Sequence, residues 1–120
     1  MQKTAWKNRI IAATEAVGTY KDAFMPVIET LAVILSERDK TYKKYIENGA
    51  KSVVEYTNKN GSTNLVKNPL LVTWSDLNAQ ALTYWRDLGL TPAGLKRIDE
   101  SAVKNKKTSA LGEVLKSLDG

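Results

Sequence analysis

Between Lys67 and Ile98 the chain carries its longest apolar periodicity, KNPLLVTWSDLNAQALTYWRDLGLTPAGLKRI. Leu70, Trp74, Leu77, Ala81, Tyr84 and Leu88 recur at alternating spacings of four and three, which places them on one face of a helix, and Leu71, Leu82 and Trp85 widen the stripe. A stripe this wide needs more than one neighbour, so contacts from elsewhere in the chain, and from another subunit in an oligomer, are expected to share it. Asn68 suits the N-cap and Pro69 the first helical position, with Thr73 and Asp76 as a rival capping-box start. Gly89 fits the left-handed position beyond the helix, and Thr91-Pro92 restarts a helix at once. Only Gly89 and Leu90 are left to turn the chain, which predicts a sharp helix-turn-helix-like corner.

The same logic applies to the remaining segments. Trp6, Ile10, Ala13 and Val17 align on one face of a first helix over Thr4 to Val17, with Lys3, Lys7 and Arg9 off that face and Gly18 as its stop. Those three basic residues suit either phosphate contact or a solvated helix face. From Tyr20 to Asn48 the heptad-like apolar spacing of Phe24, Ile28, Leu31, Leu35, Tyr42 and Tyr45 predicts a long helix, interrupted on its seam by Arg38 and stopped by Gly49. Pro26 requires that helix to begin near it or to kink there. Asn60-Gly61 between two β-rich runs predicts a hairpin near 51–67, since both residues tolerate positive φ. A lone hairpin is marginal in water, so it should lie on the helices or pair with its copies.

Beyond the corner, Leu95 and Ile98 oppose Lys96, Arg97 and Glu100 in a short helix. Lys104, Lys106 and Lys107 then mark a polar run, and Ser109 can cap a last helix whose apolar face is Leu111, Val114, Leu115 and Leu118. That terminal face suits a partner groove or packing on its own domain. The pattern as a whole predicts a mainly α fold. A helical core domain over residues 1–100, with a long central helix and the hairpin near 51–67, precedes a basic linker at 101–109 and an amphipathic segment at 110–120.

Composition changes this picture mainly by exclusion. The 120 residues contain no cysteine and no histidine, which removes disulfides, zinc sites built on thiolate or imidazole, thiol nucleophiles and the usual neutral-pH general base. No spacing gathers Asp, Glu, Lys, Ser or Tyr into a catalytic constellation, so no enzyme activity and no cofactor are expected. The chain has no apolar run long enough for a membrane span and its start lacks a signal-peptide core, which leads us to expect an intracellular protein without a membrane partner. Eighteen basic against thirteen acidic side chains give a net charge of +5, a balance that favours an anionic partner such as nucleic acid. GSTN after Asn60 is not a nucleotide loop, because the second glycine and the Lys-Ser/Thr pair are missing.

The order NKNGSTNLVKNPLL, then a helix with paired aromatics, then LGLTPAGLKRI, resembles the phage terminase small-subunit family of tailed-phage and prophage packaging modules. The resemblance rests on Asn58 to Gly61, Asn64, Lys67 to Leu71 and Leu88 to Ile98, preceded by the long helix that ends at Gly49, and it spans about Tyr20 to Ile98. It implies a homo-oligomeric ring that recognises double-stranded viral DNA and regulates the large terminase subunit, which carries the ATPase and nuclease. It also implies a location in the cytoplasm of the bacterial host. In such a ring, weak phosphate contacts repeated on every subunit sum to useful affinity. Lys3, Lys7 and Arg9 are the first candidates for DNA contact, and Lys104, Lys106 and Lys107 the second.

Two other readings separate from this one by simple measurements. A helix-turn-helix regulator would use Thr91 to Glu100 as recognition helix, carrying Lys96 and Arg97 into the major groove, with Asp99 and Glu100 opposing it. It would be a dimer rather than a ring. A protein-interaction module that binds no DNA would depend on the Leu111 to Leu118 face.

Overall fold

The computed structural model describes residues 1–119, with the backbone alone at 107–109 and 119. Helix α1 (Lys3–Val17) leads through a 3₁₀ turn (Asp22–Phe24) into α2 (Met25–Glu47). Strands β1 (Val53–Thr57) and β2 (Thr63–Lys67) come next, then α3 (Pro69–Asp87) and α4 (Pro92–Asp119). The mainly α fold with a long central helix, one hairpin and a sharp corner is therefore as the pattern predicts. Pro26 resolves its own ambiguity: the 3₁₀ turn takes the early residues and the proline sits in the first turn of α2, where a missing N–H costs little.

α2 and α3 run antiparallel, and their shared seam is the core. Ile28, Leu31, Ala32, Ile34 and Leu35 of α2 are buried with Ala81 of α3, Leu88 at its end and Ile10 of α1; Leu77, Tyr84 and Trp85 pack at the edge. At one end of the seam, Tyr42 of α2 meets Trp74 of α3 with ring centres 5.8 Å apart. At the other end, Thr19 Oγ1 donates to the Leu88 carbonyl at 2.7 Å, tying the α1–α2 connection to the end of α3.

α1 packs along α2, with its start beside Asp39, and is fastened through Trp6. The indole Nε1 donates to Asp39 Oδ2 at 2.7 Å, the ring meets Trp85 edge-on at 6.3 Å, and the Arg38 guanidinium carbon sits 5.5 Å from the ring centre. Arg38 also donates to Asn78 Oδ1 on α3 at 3.3 Å. The polar break in the α2 seam is thus the point where three helices are joined. Asp39 further accepts from the N-terminal ammonium at 3.1 Å and from Arg38. Burial alone would raise its pKa, but the hydrogen bonds from Trp6, the N-terminus and Arg38, with the Arg38 charge, outweigh burial and hold it below the ordinary 3.8.

The hairpin stands at the end of the α2–α3 seam. β1 and β2 pair antiparallel in the register Val53 with Lys67, Val54 with Val66, Glu55 with Leu65, Tyr56 with Asn64 and Thr57 with Thr63. Its turn differs from the tight two-residue form that Asn60-Gly61 suggests. A loop from Asn58 to Ser62 joins the strands, Asn58 Oδ1 accepts from the amides of Asn60 and Ser62, and only Gly61 takes a positive φ, at 82°. The Asn58 side chain closes the wider loop, so Asn60 need not enter the left-handed region. At its base the hairpin is held by Asn68, which is buried. Asn68 accepts from Leu70 N as the cap of α3, donates from Nδ2 to the Lys51 carbonyl at 2.9 Å, and its own amide donates to Ser52 O.

The α3–α4 corner is capped as expected, with Thr91 Oγ1 accepting from Gly94 N at 3.0 Å. Gly94 is buried where α4 crosses the end of α3, and a Cβ there would collide with the Arg86 carbonyl. Past this corner the structure departs from the pattern. The backbone stays helical through 101–109, where composition predicts a linker, and through the segment from 110, so α4 runs 28 residues without a break, about 42 Å at 1.5 Å per residue. Lys, Ala, Val and Asn in that run do not oppose helix, and no Pro or Gly ends it before Gly112. The cap expected at Ser109 lies outside the described side chains. The molecule is consequently elongated, 83 × 29 × 22 Å with a radius of gyration of 22.2 Å, against about 14 Å for a compact chain of this length.

Because the folded pKa of Asp39 lies below its unfolded value, its contribution to stability is complete above the unfolded pKa and is lost as pH falls through the folded one. Melting monitored by circular dichroism should be nearly flat from neutral pH to about pH 5 and fall below about pH 4, and Asp39→Asn should melt lower at neutral pH with a shallower acid limb. Gly94→Ala should destabilise the fold by about 1–3 kcal/mol through overpacking at the corner, read as a lower denaturant midpoint.

Candidate nucleic-acid interface

The basic residues singled out in the sequence fall into separate surroundings. Lys3 and Lys7 stand one turn apart on α1 and line a shallow groove with Pro26, Glu29 and Thr30 of α2. Lys7 Nζ lies 3.3 Å from Glu29 Oε1 in an exposed ion pair, of the kind that contributes little to stability and that a phosphate can displace. Arg9, two residues further on, points to another face, its guanidinium carbon 5.5 Å from the Trp6 ring centre. The structure thus brings Lys3 and Lys7 together and sets Arg9 apart, stacked on the indole that fastens α1.

On α4, Lys104 lines a groove with Leu95, Lys96, Asp99, Glu100 and Val103, so two carboxylates share its surroundings. Lys106 is exposed on the same helix. The side chain of Lys107 lies outside the described residues. The exposed apolar face of this helix comprises Leu111, Val114, Leu115 and Leu118, the last 76% exposed, so it is not packed on the bundle.

Charge is distributed otherwise than these clusters suggest. The first 39 residues hold five basic and five acidic side chains, and residues 68–120 hold seven and six. The stretch from Lys40 to Lys67 holds six lysines against Glu47 and Glu55, a net +4 of the chain's +5. All six lysines are exposed, and they lie on the last turns of α2, on the hairpin and at its base. Lys40 pairs with Glu37 at 3.3 Å and Lys43 with Glu47 at 4.0 Å, while Lys44, Lys51, Lys59 and Lys67 make no ion pair among the described residues. Reading the lysines element by element missed this surface. A running sum of charge along the chain finds it.

Chemistry of other kinds has little to work with. Among the described residues no group of three or more acidic side chains is placed to hold a metal ion, and no helix is long and apolar enough to cross a membrane. Every buried side-chain nitrogen and oxygen among them has a hydrogen-bond partner.

Comparison with known proteins gives one result. No match was found among curated proteins or solved structures. The family model described as phage terminase, small subunit, matches residues 3–105, which takes in α1, α2, the hairpin, α3 and the first half of α4. With most of its length matched in this way, the chain belongs to the phage terminase small-subunit family.

Proposed function

We propose that this chain recognises double-stranded viral DNA and brings the large terminase subunit, with its ATPase and nuclease, to that DNA to start genome packaging. The match to the small-subunit family over residues 3–105 carries this reading. The site of action is the cytoplasm of the bacterial host, and this subunit contributes recognition and regulation rather than catalysis.

The working form is a homo-oligomeric ring. Val33 on α2 is 44% exposed and Leu82 on α3 is 55% exposed, outside the seam that the two helices share, and both suit burial against a neighbouring subunit. In a ring each modest basic surface is repeated, so contacts from Lys3, Lys7, Arg9, Lys104, Lys106 and Lys107 gain affinity by number. The α4 face from Leu111 to Leu118 is the surface offered to the large subunit, as an amphipathic helix entering an apolar groove.

DNA binding should therefore weaken linearly in log K against log salt, and replacing Lys3, Lys7 and Arg9 by alanine should lower the slope by about one for each phosphate they engage. Absence of DNA binding in every oligomeric form, or binding indifferent to salt, contradicts the reading. Removing residues 110–120 should abolish capture of the large subunit while leaving the helical bundle and oligomer in place. Loss of the oligomer or of the fold in that variant would make the segment structural instead.

A further inference from the structure

We propose that the hairpin end of the molecule is a double-stranded DNA contact, with Lys44, Lys51, Lys59 and Lys67 on phosphates and the Tyr56–Asn64 pair turned toward the groove. The inference rests on the DNA-recognition reading above and assigns it a surface distinct from the α1 and α4 lysines.

Charge is the first support. Nearly all the net positive charge of the chain lies between Lys40 and Lys67, and these four lysines have no carboxylate partner among the described residues. The surface is also continuous. The α2 lysines share a groove with Leu70 and Thr73 at the start of α3, immediately after the hairpin. The Lys51 side chain lies back against the end of α2, its Cε 3.8 Å from where a Cβ on Gly49 would sit. Asn68 then locks the hairpin base to α3, so the ribbon is presented from a fixed platform.

Shape and side-chain chemistry favour duplex DNA over an acidic protein. A two-stranded antiparallel ribbon fits the major groove, which is about 12 Å wide. Each strand here has five residues, about 17 Å of ribbon, and it projects from the end of an elongated molecule. Tyr56 and Asn64 are opposite one another near the tip, and Tyr56 is 58% exposed. The strand alternation puts them with Val54 and Val66 on one face, and Glu55, the only acidic residue of the ribbon, with Lys67 on the other. Lys67 therefore reaches a phosphate at the flank of the ribbon rather than from the face turned to the groove. The tip itself offers Asn60 and Ser62 beside Lys59, on a loop whose shape Asn58 fixes by two hydrogen bonds. Amides, hydroxyls and a lysine at a fixed tip suit phosphates and base edges.

The test uses the full chain and linear duplex DNA of random sequence. A variant with Lys44, Lys51, Lys59 and Lys67 all changed to glutamine should keep the native mass and helical content of the parent. It should bind at least tenfold more weakly, with a salt slope lower by about one for each phosphate no longer engaged. Lys59→Glu alone, at an exposed loop tip that cannot affect the core, should weaken binding in the same direction and decides the matter if the fourfold variant misfolds. Parental affinity and slope in these variants overturn the hairpin contact and leave the DNA-recognition reading standing. A parent protein that binds no duplex overturns both. Polyglutamate competing as well as duplex DNA would also overturn the proposal, by showing a surface for acidic polymers in general.

Discussion

The antiparallel seam between α2 and α3 is the constraint on which the rest of the structure depends. Leu31 and Leu35 on one side and Ala81 and Leu88 on the other are buried completely or almost so, and the small Ala81 lets the two helices approach closely. Because the seam runs the length of both helices, their ends become the places where additional structure can attach. The hairpin closes one end and α4 leaves from the other. α1 packs against this pair through buried Ile10 and the Trp6–Trp85 contact, and a polar network fixes its place. Trp6, Arg38, Asp39 and Asn78 join three helices in one network, which leaves the attachment sensitive to the charge of a single carboxylate.

How much of this was legible depends on whether a local signal was sufficient. The α3 stripe, the Asn68 cap and the Thr91-Pro92 restart are properties of neighbouring residues, and all three stand in the structure. The hairpin was legible from Asn60-Gly61, but its loop was not, because the bond-forming side chain is Asn58, outside the dipeptide that signals a turn. Arg38 reads as an interruption of an apolar seam. Its purpose depends on Trp6 on α1 and Asn78 on α3, both far away in sequence, and no periodicity records such partners. The unbroken α4 is hidden from composition, because a polar, lysine-rich run resembles a linker while having adequate helix propensity.

The candidate interface was less legible than the fold. Clusters such as Lys3, Lys7 and Arg9 draw attention by being close in sequence, yet a helix turns by about 100° per residue and sends Arg9 to a different face from Lys7. The lysines at the hairpin end are spread from Lys40 to Lys67 over α2, the hairpin and its base, and only the fold gathers them. The same elongation that separates the two ends of the molecule also separates two proposed tasks. A basic, polar ribbon is at one end and an exposed apolar helix face at the other, so the DNA contact proposed for the hairpin and the large-subunit contact proposed for α4 occupy different surfaces.

The ring proposed for this small-subunit family member requires neighbouring subunits to cover the apolar positions, Val33 and Leu82 among them, that the α2–α3 seam leaves outside. Native mass measurement of the full chain distinguishes a ring from smaller species in one step. A ring gives a single dominant species at a whole-number multiple of the 13.3 kDa subunit mass, well above a dimer and unchanged on dilution. A monomer or a dimer as the dominant species would contradict it.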